Sequence, residues 1–134
     1  MKKINSIYII DDDRIIVYGI QKMLKMLTLC DDISTFANGR LALDSIEQLY
    51  HNHKPLPDVI FLDINMPIMD GWQFLEALIA LRLDQKLRIN IVTSSIDPLD
   101  LQHYESYKKR TEHTITYNHK PLKINRIEDV TKPV

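Results

Sequence analysis

Aspartate side chains follow two apolar runs of the sequence at the points where those runs end. Asp11, Asp12 and Asp13 come directly after the first run, and Asp63 ends a run that begins at Val59. A carboxylate at the edge of a core needs compensation for its charge, and clustered carboxylates raise one another's pKa. Mg²⁺ relieves this repulsion, because it binds one or two carboxylates together with waters and phosphate oxygens. If the fold brings the two runs together, these aspartates predict a site for a hard divalent cation.

A hydroxyl group and an ammonium group stand in comparable places further along the chain. Thr93 is followed by Ser94 and Ser95 at the end of another apolar run, and Lys120 follows the last one. An aspartate can act as a nucleophile that forms an aspartyl phosphate. A metal ion and a lysine neutralise charge on a phosphoryl group during its transfer. Asp63 is therefore a candidate nucleophile, with Lys120 and a metal ion as its electrostatic support.

Strand and helix patterns alternate along the chain. Short β-branched and aromatic runs predict strands, and apolar residues at helical spacing predict helices between them. The predicted strands are 4–10, 32–36, 58–62, 88–93 and 113–117. The predicted helices are 14–27, 38–50, 72–79, 98–109 and 122–130, the first capped by Asp13 and the fourth by Asp97. This alternation predicts a parallel sheet with helices on both faces, whose carboxyl edge gathers the polar residues.

Length and composition are typical of one globular domain. The chain has 134 residues, of which 45% are hydrophobic and 26% charged, and its formal net charge is −1. Nothing in this balance favours a nucleic-acid or membrane surface, and we expect one domain over residues 1–134. Cys30 is the single cysteine, which excludes an intrachain disulfide and favours a reducing compartment. The start, MKKINSIYII, resembles a signal sequence, but its apolar run is too short, so a cytoplasmic protein is expected.

Four motifs together resemble the response regulator receiver domain, the CheY-like family. They are IIDDD at 9–13, LDINMPIMDG at 62–71, VTSS at 92–95 and HKP at 119–121. They occur in this order at the ends of predicted strands, and the separation 93 − 63 = 30 matches the family's usual gap between acceptor and hydroxyl residue. The resemblance covers essentially the whole chain. It implies a flavodoxin-like, doubly wound (βα)5 fold of the α/β class, with a five-stranded parallel sheet in the order 2-1-3-4-5.

The same resemblance implies roles for residues at matching positions. Asp63 matches the phosphoacceptor, and Thr93 and Lys120 match the residues that contact the phosphoryl group. The implied ligands of Mg²⁺, or of Mn²⁺ in its place, are Asp11, Asp12, Asp63 and the backbone carbonyl of Asn65, with Asp12 the more direct ligand of the acidic pair. The implied switch residues are Thr93, Tyr117 and Pro121. Pro121 fits a lysine–proline bond that is often cis in the family and points the lysine inward.

The resemblance implies a receiver in two-component signal transduction rather than a conventional enzyme. A sensor histidine kinase or a histidine phosphotransfer protein would donate a phosphoryl group to Asp63 in a Mg²⁺-dependent reaction. Thr93 would then move toward the phosphoryl group and Tyr117 would rotate, which changes a surface that binds an unknown downstream protein. The expected oligomeric state is a monomer or a weak, phosphorylation-dependent dimer. Self-phosphorylation and self-dephosphorylation would be the chain's own chemistry, with no nucleic-acid or membrane partner.

Three other functions remain open at this point. A receiver-like scaffold that is never phosphorylated would carry the same residues. An aspartyl phosphatase of the haloacid dehalogenase type needs Asp-x-Asp, and Asn65 stands where the second acid would be. A flavodoxin-like binding module needs a phosphate-cradling loop after the first strand, where this chain has three aspartates. The sequence also leaves open whether the chain acts alone or belongs to a larger regulator.

Several of these residues also have purely structural interpretations. Thr93 can satisfy a backbone group at the end of its strand, and Tyr117 can simply pack in the core. His51 and His53 suggest a metal site, but without acidic or cysteine neighbours they are better interpreted as solvated side chains. The gap 120 − 63 = 57 is longer than in compact members of the family. We expect the additional residues just before the fifth strand, where they would affect the shape of the output surface.

Overall fold

The chain forms one parallel sheet flanked by helices in the computed structural model, which describes residues 4–27 and 29–132. Residues 1–3, which open the signal-like segment, residues 133–134, which end the predicted domain, and Thr28 lie outside the described residues. The strands are β1 (Ile7–Ile10), β2 (Ile33–Phe36), β3 (Val59–Leu62), β4 (Arg88–Thr93) and β5 (Thr114–His119). The helices are α1 (Arg14–Met26), α2 (Gly39–His51), α3 (Gly71–Ala80), α4 (Pro98–Arg110) and α5 (Ile124–Val130).

The sheet has the strand order β2-β1-β3-β4-β5, and each neighbouring pair of strands is parallel. The predicted fold class, strand order and alternation of elements are therefore confirmed. Ile10 at the end of β1 pairs with Phe36 of β2 and with Leu62 of β3. This register aligns the carboxyl ends of the three strands, so the residues that follow Ile10 and Leu62 emerge side by side.

Side chains alternate between two cores along each central strand, as a pleated strand requires. Ile7 and Ile9 of β1 pack in a core on the α1 and α5 side of the sheet. Tyr8 and Ile10 pack in a core on the α2 and α3 side. Cys30 is buried in the first of these cores, as a small apolar residue would be. Both faces of the central strands are therefore covered, which explains why their sequence is apolar throughout rather than alternating.

Helix starts follow the local capping chemistry that the sequence predicted. The side chain of Asp13 accepts hydrogen bonds from the backbone N–H groups of Ile15 and Ile16 and caps α1. Asp97 caps α4 by accepting from the N–H of Leu99, directly before a proline in the first turn. Each cap satisfies N–H groups that have no partner inside the helix. The caps place the ends of β1 and β4 next to helix N-termini at the carboxyl edge.

Two strand boundaries differ from the sequence prediction by more than one residue. β1 begins at Ile7 rather than at residue 4, because the N–H of Asn5 donates to the side chain of Asp58 and not to a neighbouring strand. β5 extends to His119 rather than ending at Tyr117, because β4 continues far enough to pair with Asn118 and His119. Pairing with a neighbour decides these ends, and the neighbour is distant in sequence. The longer β5 delivers Lys120 directly to the carboxyl edge.

Candidate functional site

The carboxylates of Asp11 and Asp63 lie side by side at the carboxyl edge of the sheet. The N–H of Asp63 donates to the carbonyl of Ile10 at 2.9 Å, and the N–H of Asp11 donates to the carbonyl of Phe36 at 3.0 Å. Each aspartate is thus held by its own backbone in continuation of the strand ladder. Both residues are only 5% exposed. The sheet therefore fixes two nearly buried carboxyl groups on adjacent strands.

Three carboxylates converge there closely enough to share one cation. Asp11, Asp12 and Asp63 each offer one oxygen, and these oxygens lie within 4.8 Å of one another. Asp12 is exposed, whereas the other two are buried. Oxygen ligands from carboxylates in such an arrangement suit Mg²⁺ or Mn²⁺. The residues predicted from the sequence as an acidic cluster are therefore brought together by the fold.

Burial makes the Asp63 carboxyl a weaker acid than an ordinary aspartate. Removal from water, and next the negative charge of Asp11, raise the pKa of the Asp63 carboxyl from its ordinary 3.8 to about 6. The charge of Lys120 and a hydrogen bond from the Asn65 backbone lower this pKa but do not reverse the change. The side chain of Asn65 is exposed to solvent. A cation that binds beside Asp63 would therefore stabilise its charged form.

Lys120 bridges the two buried carboxylates. Its Nζ atom lies 3.0 Å from Asp11 Oδ2 and 3.5 Å from Asp63 Oδ1. Burial lowers the pKa of the Lys120 ammonium, but its hydrogen bond to Asp11 and the charges of Asp63 and Asp11 outweigh burial, so the net pKa is raised. Its backbone N–H donates to the carbonyl of Thr93, and the peptide bond to Pro121 is cis. Lys120 is therefore a fully charged group aimed at the acidic cluster.

Thr93 has no solvent exposure and already has a hydrogen-bond partner. Its Oγ1 atom accepts a hydrogen bond of 3.0 Å from the backbone N–H of Ser95, the residue two positions on. The structural interpretation of this threonine, as a side chain that satisfies a backbone group, therefore holds in the described state. Such a local bond is readily exchanged for another, so it does not conflict with a second role.

Tyr117 lies in the contact between β5 and α4. Its ring is 5.3 Å from the ring of Tyr104 and 5.6 Å from the ring of His119. It is half-buried rather than enclosed in the core. The tyrosine thus occupies the surface between α4 and the last strand, inside β5 rather than at its end.

Two sets of residues behave differently from the acidic cluster. His51 and His53 are exposed, and neither joins a metal-binding group within residues 4–27 and 29–132. Conversely, sequence reasoning missed Asp100, which accepts hydrogen bonds from Ser95 and from Trp72. An aspartate in the first turn of a helix is favourable without any further partner, so no sequence signal distinguishes this one.

No helix in the described part of the chain is long and apolar enough to cross a membrane.

Comparison with known proteins identifies the family. The sequence model of the response regulator receiver domain matches residues 7–131. Sporulation initiation phosphotransferase F of Bacillus subtilis is 30% identical over 129 residues, which cover 95% of this chain and 90% of that protein. An uncharacterized response regulatory protein of Vibrio cholerae is 32% identical over 120 residues, which cover 87% of this chain. The chain spans 40%, 22% and 36% of the lengths of three of the curated relatives that it matches.

Solved structures agree with the fold. A two component response regulator from Cytophaga hutchinsonii has a TM-score of 0.79 at 27% identity, and the match covers 96% of this chain and 95% of that one. Chemotaxis protein CheY4 of Vibrio cholerae has a TM-score of 0.73 at 22% identity, with 94% of each chain covered. At this lower identity the likeness supports the fold alone.

Proposed function

This chain belongs to the response regulator receiver domain family, and we propose that it receives a phosphoryl group on Asp63 from a phosphohistidine donor. The observation that carries the proposal is the position of Lys120, whose ammonium contacts Asp63 and Asp11 at once. A buried carboxylate flanked by one cation and two further carboxylates is suited to receive phosphate when a metal ion balances the charge.

The transfer itself is a single displacement at phosphorus. A carboxylate oxygen of Asp63 forms the new P–O bond while the P–N bond to the donor histidine breaks, and the electron pair leaves with the imidazole. Lys120 is close enough to the Asp63 carboxylate to contact the arriving phosphoryl oxygens. The Thr93 hydroxyl would donate its proton to a phosphoryl oxygen, since the hydrogen bond from Ser95 uses the Thr93 oxygen as an acceptor.

The acidic cluster fits a divalent cation such as Mg²⁺ or Mn²⁺. The carboxylates of Asp11, Asp12 and Asp63 would hold it, together with the backbone carbonyl of Asn65. Bound there, the cation supplies positive charge that offsets the repulsion between the acceptor and the incoming phosphate. The raised pKa of Asp63 supports this assignment, because burial, and next the charge of Asp11, make its charged form unfavourable when no cation is bound.

Phosphorylation would switch the surface between α4 and β5. A phosphoryl group on Asp63 would carry roughly two negative charges at the carboxyl edge of the sheet. Thr93 would turn its hydroxyl toward them, and Tyr117 would rotate from its contact with Tyr104. We propose that this surface binds a downstream protein. Pro121 is proposed to fix the direction of Lys120. The state without phosphate and the state with it would then be two populations whose balance the modification shifts.

The donor is proposed to be a sensor histidine kinase or a histidine phosphotransfer protein. The Bacillus subtilis relative is named a phosphotransferase and matches along most of its length, which supports a phosphotransfer role for this chain. We further propose that residues 1–134 act as one receiver domain. The exposed amide Asn65 in place of a second acid disfavours turnover of phosphate esters, so the chain is proposed to be a switch rather than a phosphatase.

Intact mass spectrometry after incubation with acetyl phosphate tests the proposal. The wild type should gain one phosphoryl group when Mg²⁺ is present and none when a chelator replaces it. Asp63→Asn should gain none. Asp84→Asn is the matched control, because Asp84 is an exposed aspartate outside the acidic cluster, and it should behave as the wild type.

Three outcomes would contradict the proposal. Phosphorylation that persists in Asp63→Asn would move the acceptor to another residue. A wild type that gains no mass from acetyl phosphate or from a phosphorylated histidine kinase domain would indicate a scaffold instead. Release of phosphate from a generic ester substrate would indicate a phosphatase.

A further inference from the structure

One carboxylate joins the loop after β4 to helix α3. The Oδ2 atom of Asp100 accepts a hydrogen bond of 2.5 Å from the Ser95 hydroxyl, and its Oδ1 atom accepts one of 2.9 Å from the indole N–H of Trp72. Asp100 is in the first turn of α4 and is half-buried. Hydrogen bonds to a charged acceptor are stronger than those between neutral groups. Asp100 therefore ties three segments of the chain together through a single side chain.

Ser95 connects this carboxylate to the acceptor site. Its backbone N–H donates to Thr93 Oγ1, and its own hydroxyl also accepts from the N–H of Asp97, the N-cap of α4. Ser95 thus cannot move without disturbing either Thr93 or the start of α4. The chain of hydrogen bonds runs continuously from the Thr93 hydroxyl through Ser95 and Asp100 to Trp72.

Helix α4 has no fully buried residue between Pro98 and Arg110, so partly buried side chains hold it on the rest of the protein. Trp72 stacks on Tyr107 with ring centres 5.7 Å apart and contacts the edge of His103 at 5.4 Å. Arg110 of α4 also forms an exposed ion pair with Glu76 of α3, and such a pair contributes little to stability. Trp72, with its ring contacts and its hydrogen bond to Asp100, is therefore a partly buried contact between α3 and α4.

We propose that Asp100 is a positioning residue for the acceptor site, which holds Thr93 in its resting arrangement through Ser95 and couples that arrangement to the packing of Trp72 between α3 and α4. The inference rests on the proposed phosphorylation of Asp63. When Thr93 turns toward a phosphoryl group, its bond from Ser95 changes, and the shared carboxylate transmits the change to the indole. The coupling runs toward α3, whereas Tyr117 contacts α4 through a different residue, Tyr104.

The first test needs no phosphate. The chain has a single tryptophan, so its indole N–H gives one proton resonance in an NMR spectrum. Ser95→Ala should shift that resonance. The substitution removes one of the two hydrogen-bond donors of the Asp100 carboxylate, so the geometry of its remaining hydrogen bond, from the Trp72 indole N–H, should change. Ser94→Ala is the matched control, since Ser94 is an exposed neighbour in the same loop. An indole resonance that responds equally to both substitutions, or to neither, would overturn the coupling.

The second test measures the rate of phosphorylation by acetyl phosphate with Mg²⁺. Asp100→Ala releases Ser95 and should raise the rate roughly threefold to tenfold, because Thr93 no longer has to leave a fixed arrangement. Trp72→Phe keeps an aromatic ring beside Tyr107 and removes the N–H donor, and it should raise the rate in the same direction. Glu105→Ala, which removes an exposed carboxylate from the same helix, should leave the rate unchanged.

The two tests separate failure of this inference from failure of the proposed function. An unchanged or lower rate in Asp100→Ala, with the wild type still phosphorylated, would overturn the positioning role alone. A wild type that is not phosphorylated would overturn the proposed function, and the indole response to Ser95→Ala would still decide whether the coupling exists. In phosphorylated wild type the indole resonance should shift, and in Asp100→Ala it should not respond to phosphorylation.

Discussion

Gly71 lies so close to the backbone of Asp63 that a Cβ atom on it would come 2.4 Å from the Asp63 carbonyl oxygen. The same atom would come 2.7 Å from Ile64 Cα. The N–H of Gly71 donates to the carbonyl of Ile64 at 3.0 Å, so the first turn of α3 closes directly over the end of β3. A side chain at residue 71 would meet backbone rather than a flexible side chain. The start of α3 and the position of the candidate acceptor are therefore set together.

Gly71→Ala should accordingly destabilise the protein and displace Asp63. We expect a loss of about 1–3 kcal/mol in the free energy of unfolding, as for other overpacked positions, and slower phosphorylation by acetyl phosphate. Urea denaturation and intact mass measure the two effects. Gly19→Ala is the control, because nothing lies within 4 Å of its Cβ position inside α1. Gly19→Ala should raise the free energy of unfolding by about 0.5–1 kcal/mol, because alanine is favoured over glycine inside a helix. Equal effects of the two substitutions would contradict the prediction.

Removing the charge of Asp63 should stabilise the metal-free protein near neutral pH. The pKa of Asp63 is raised to about 6 in the folded state by burial and by Asp11. Stability from the protonated form is therefore present below the unfolded value of 3.8 and is lost as pH rises through about 6. In the presence of a chelator, Asp63→Asn should gain about 1–3 kcal/mol over the wild type at about pH 7.5. Urea unfolding across a pH series measures the difference.

The pH dependence distinguishes this cause from a general effect of the substitution. The difference between Asp63→Asn and wild type should shrink as pH falls from about 6 toward 3.8 and should be absent below that value, where the Asp63 carboxyl is protonated in both the folded and the unfolded state. Asp84→Asn should show no comparable gain. A gain in Asp63→Asn that stays constant across the pH series would refute the raised pKa as its origin.

His113 should make the protein less stable in acid. Its Nδ1 atom accepts a hydrogen bond of 3.0 Å from the N–H of Leu87, which only an unprotonated nitrogen can do. Burial, and next the charge of Lys86, lower the pKa of this imidazole below its ordinary 6.5. Stability from the neutral form is present above 6.5 and is lost as pH falls toward the folded-state value. Asp63 acts in the opposite direction, so the comparison is cleanest in an Asp63→Asn background.

In that background, His113→Gln should flatten the decline in the free energy of unfolding between about pH 7 and pH 5. Gln can still offer an oxygen to Leu87 but does not titrate. His51→Gln, at an exposed histidine, should leave the decline unchanged. An unaltered slope in His113→Gln would show that another group is responsible.

Ile68 adopts a backbone conformation that disfavours its side chain. Its φ angle is 71°, in the left-handed region, and the residue is 81% exposed, so packing offers little compensation. A β-branched residue is strained there, and Ile68→Gly should gain about 1 kcal/mol in thermal or urea unfolding. Ile96→Gly is the matched control, since Ile96 is 93% exposed without a positive φ. Ile96→Gly should lower the free energy of unfolding by up to about 1 kcal/mol. A stabilising effect of Ile96→Gly would refute backbone strain at Ile68 as the cause.

The sequence by itself determined the elements and the family. The cap of α1 at Asp13 and the cap of α4 at Asp97 depend on hydrogen bonds to residues two or three positions away, so a local pattern is sufficient to predict them. The apolar strand runs and the four motifs likewise lie within short stretches. That is why the strand order and the residues of the acidic cluster followed from the sequence and its resemblance.

The tertiary structure decided what depends on partners far away in sequence. The end of β5 at His119 follows from pairing with Thr93, and the start of β1 follows from the bond between Asn5 and Asp58. The close approach of Gly71 to Asp63 and the bridge from Asp100 to Trp72 likewise join different elements. Distances of this kind are set by strand register and helix packing, which no local pattern encodes. For this reason the sequence predicts the residues at the carboxyl edge, whereas only the fold shows how they are connected to α3 and α4.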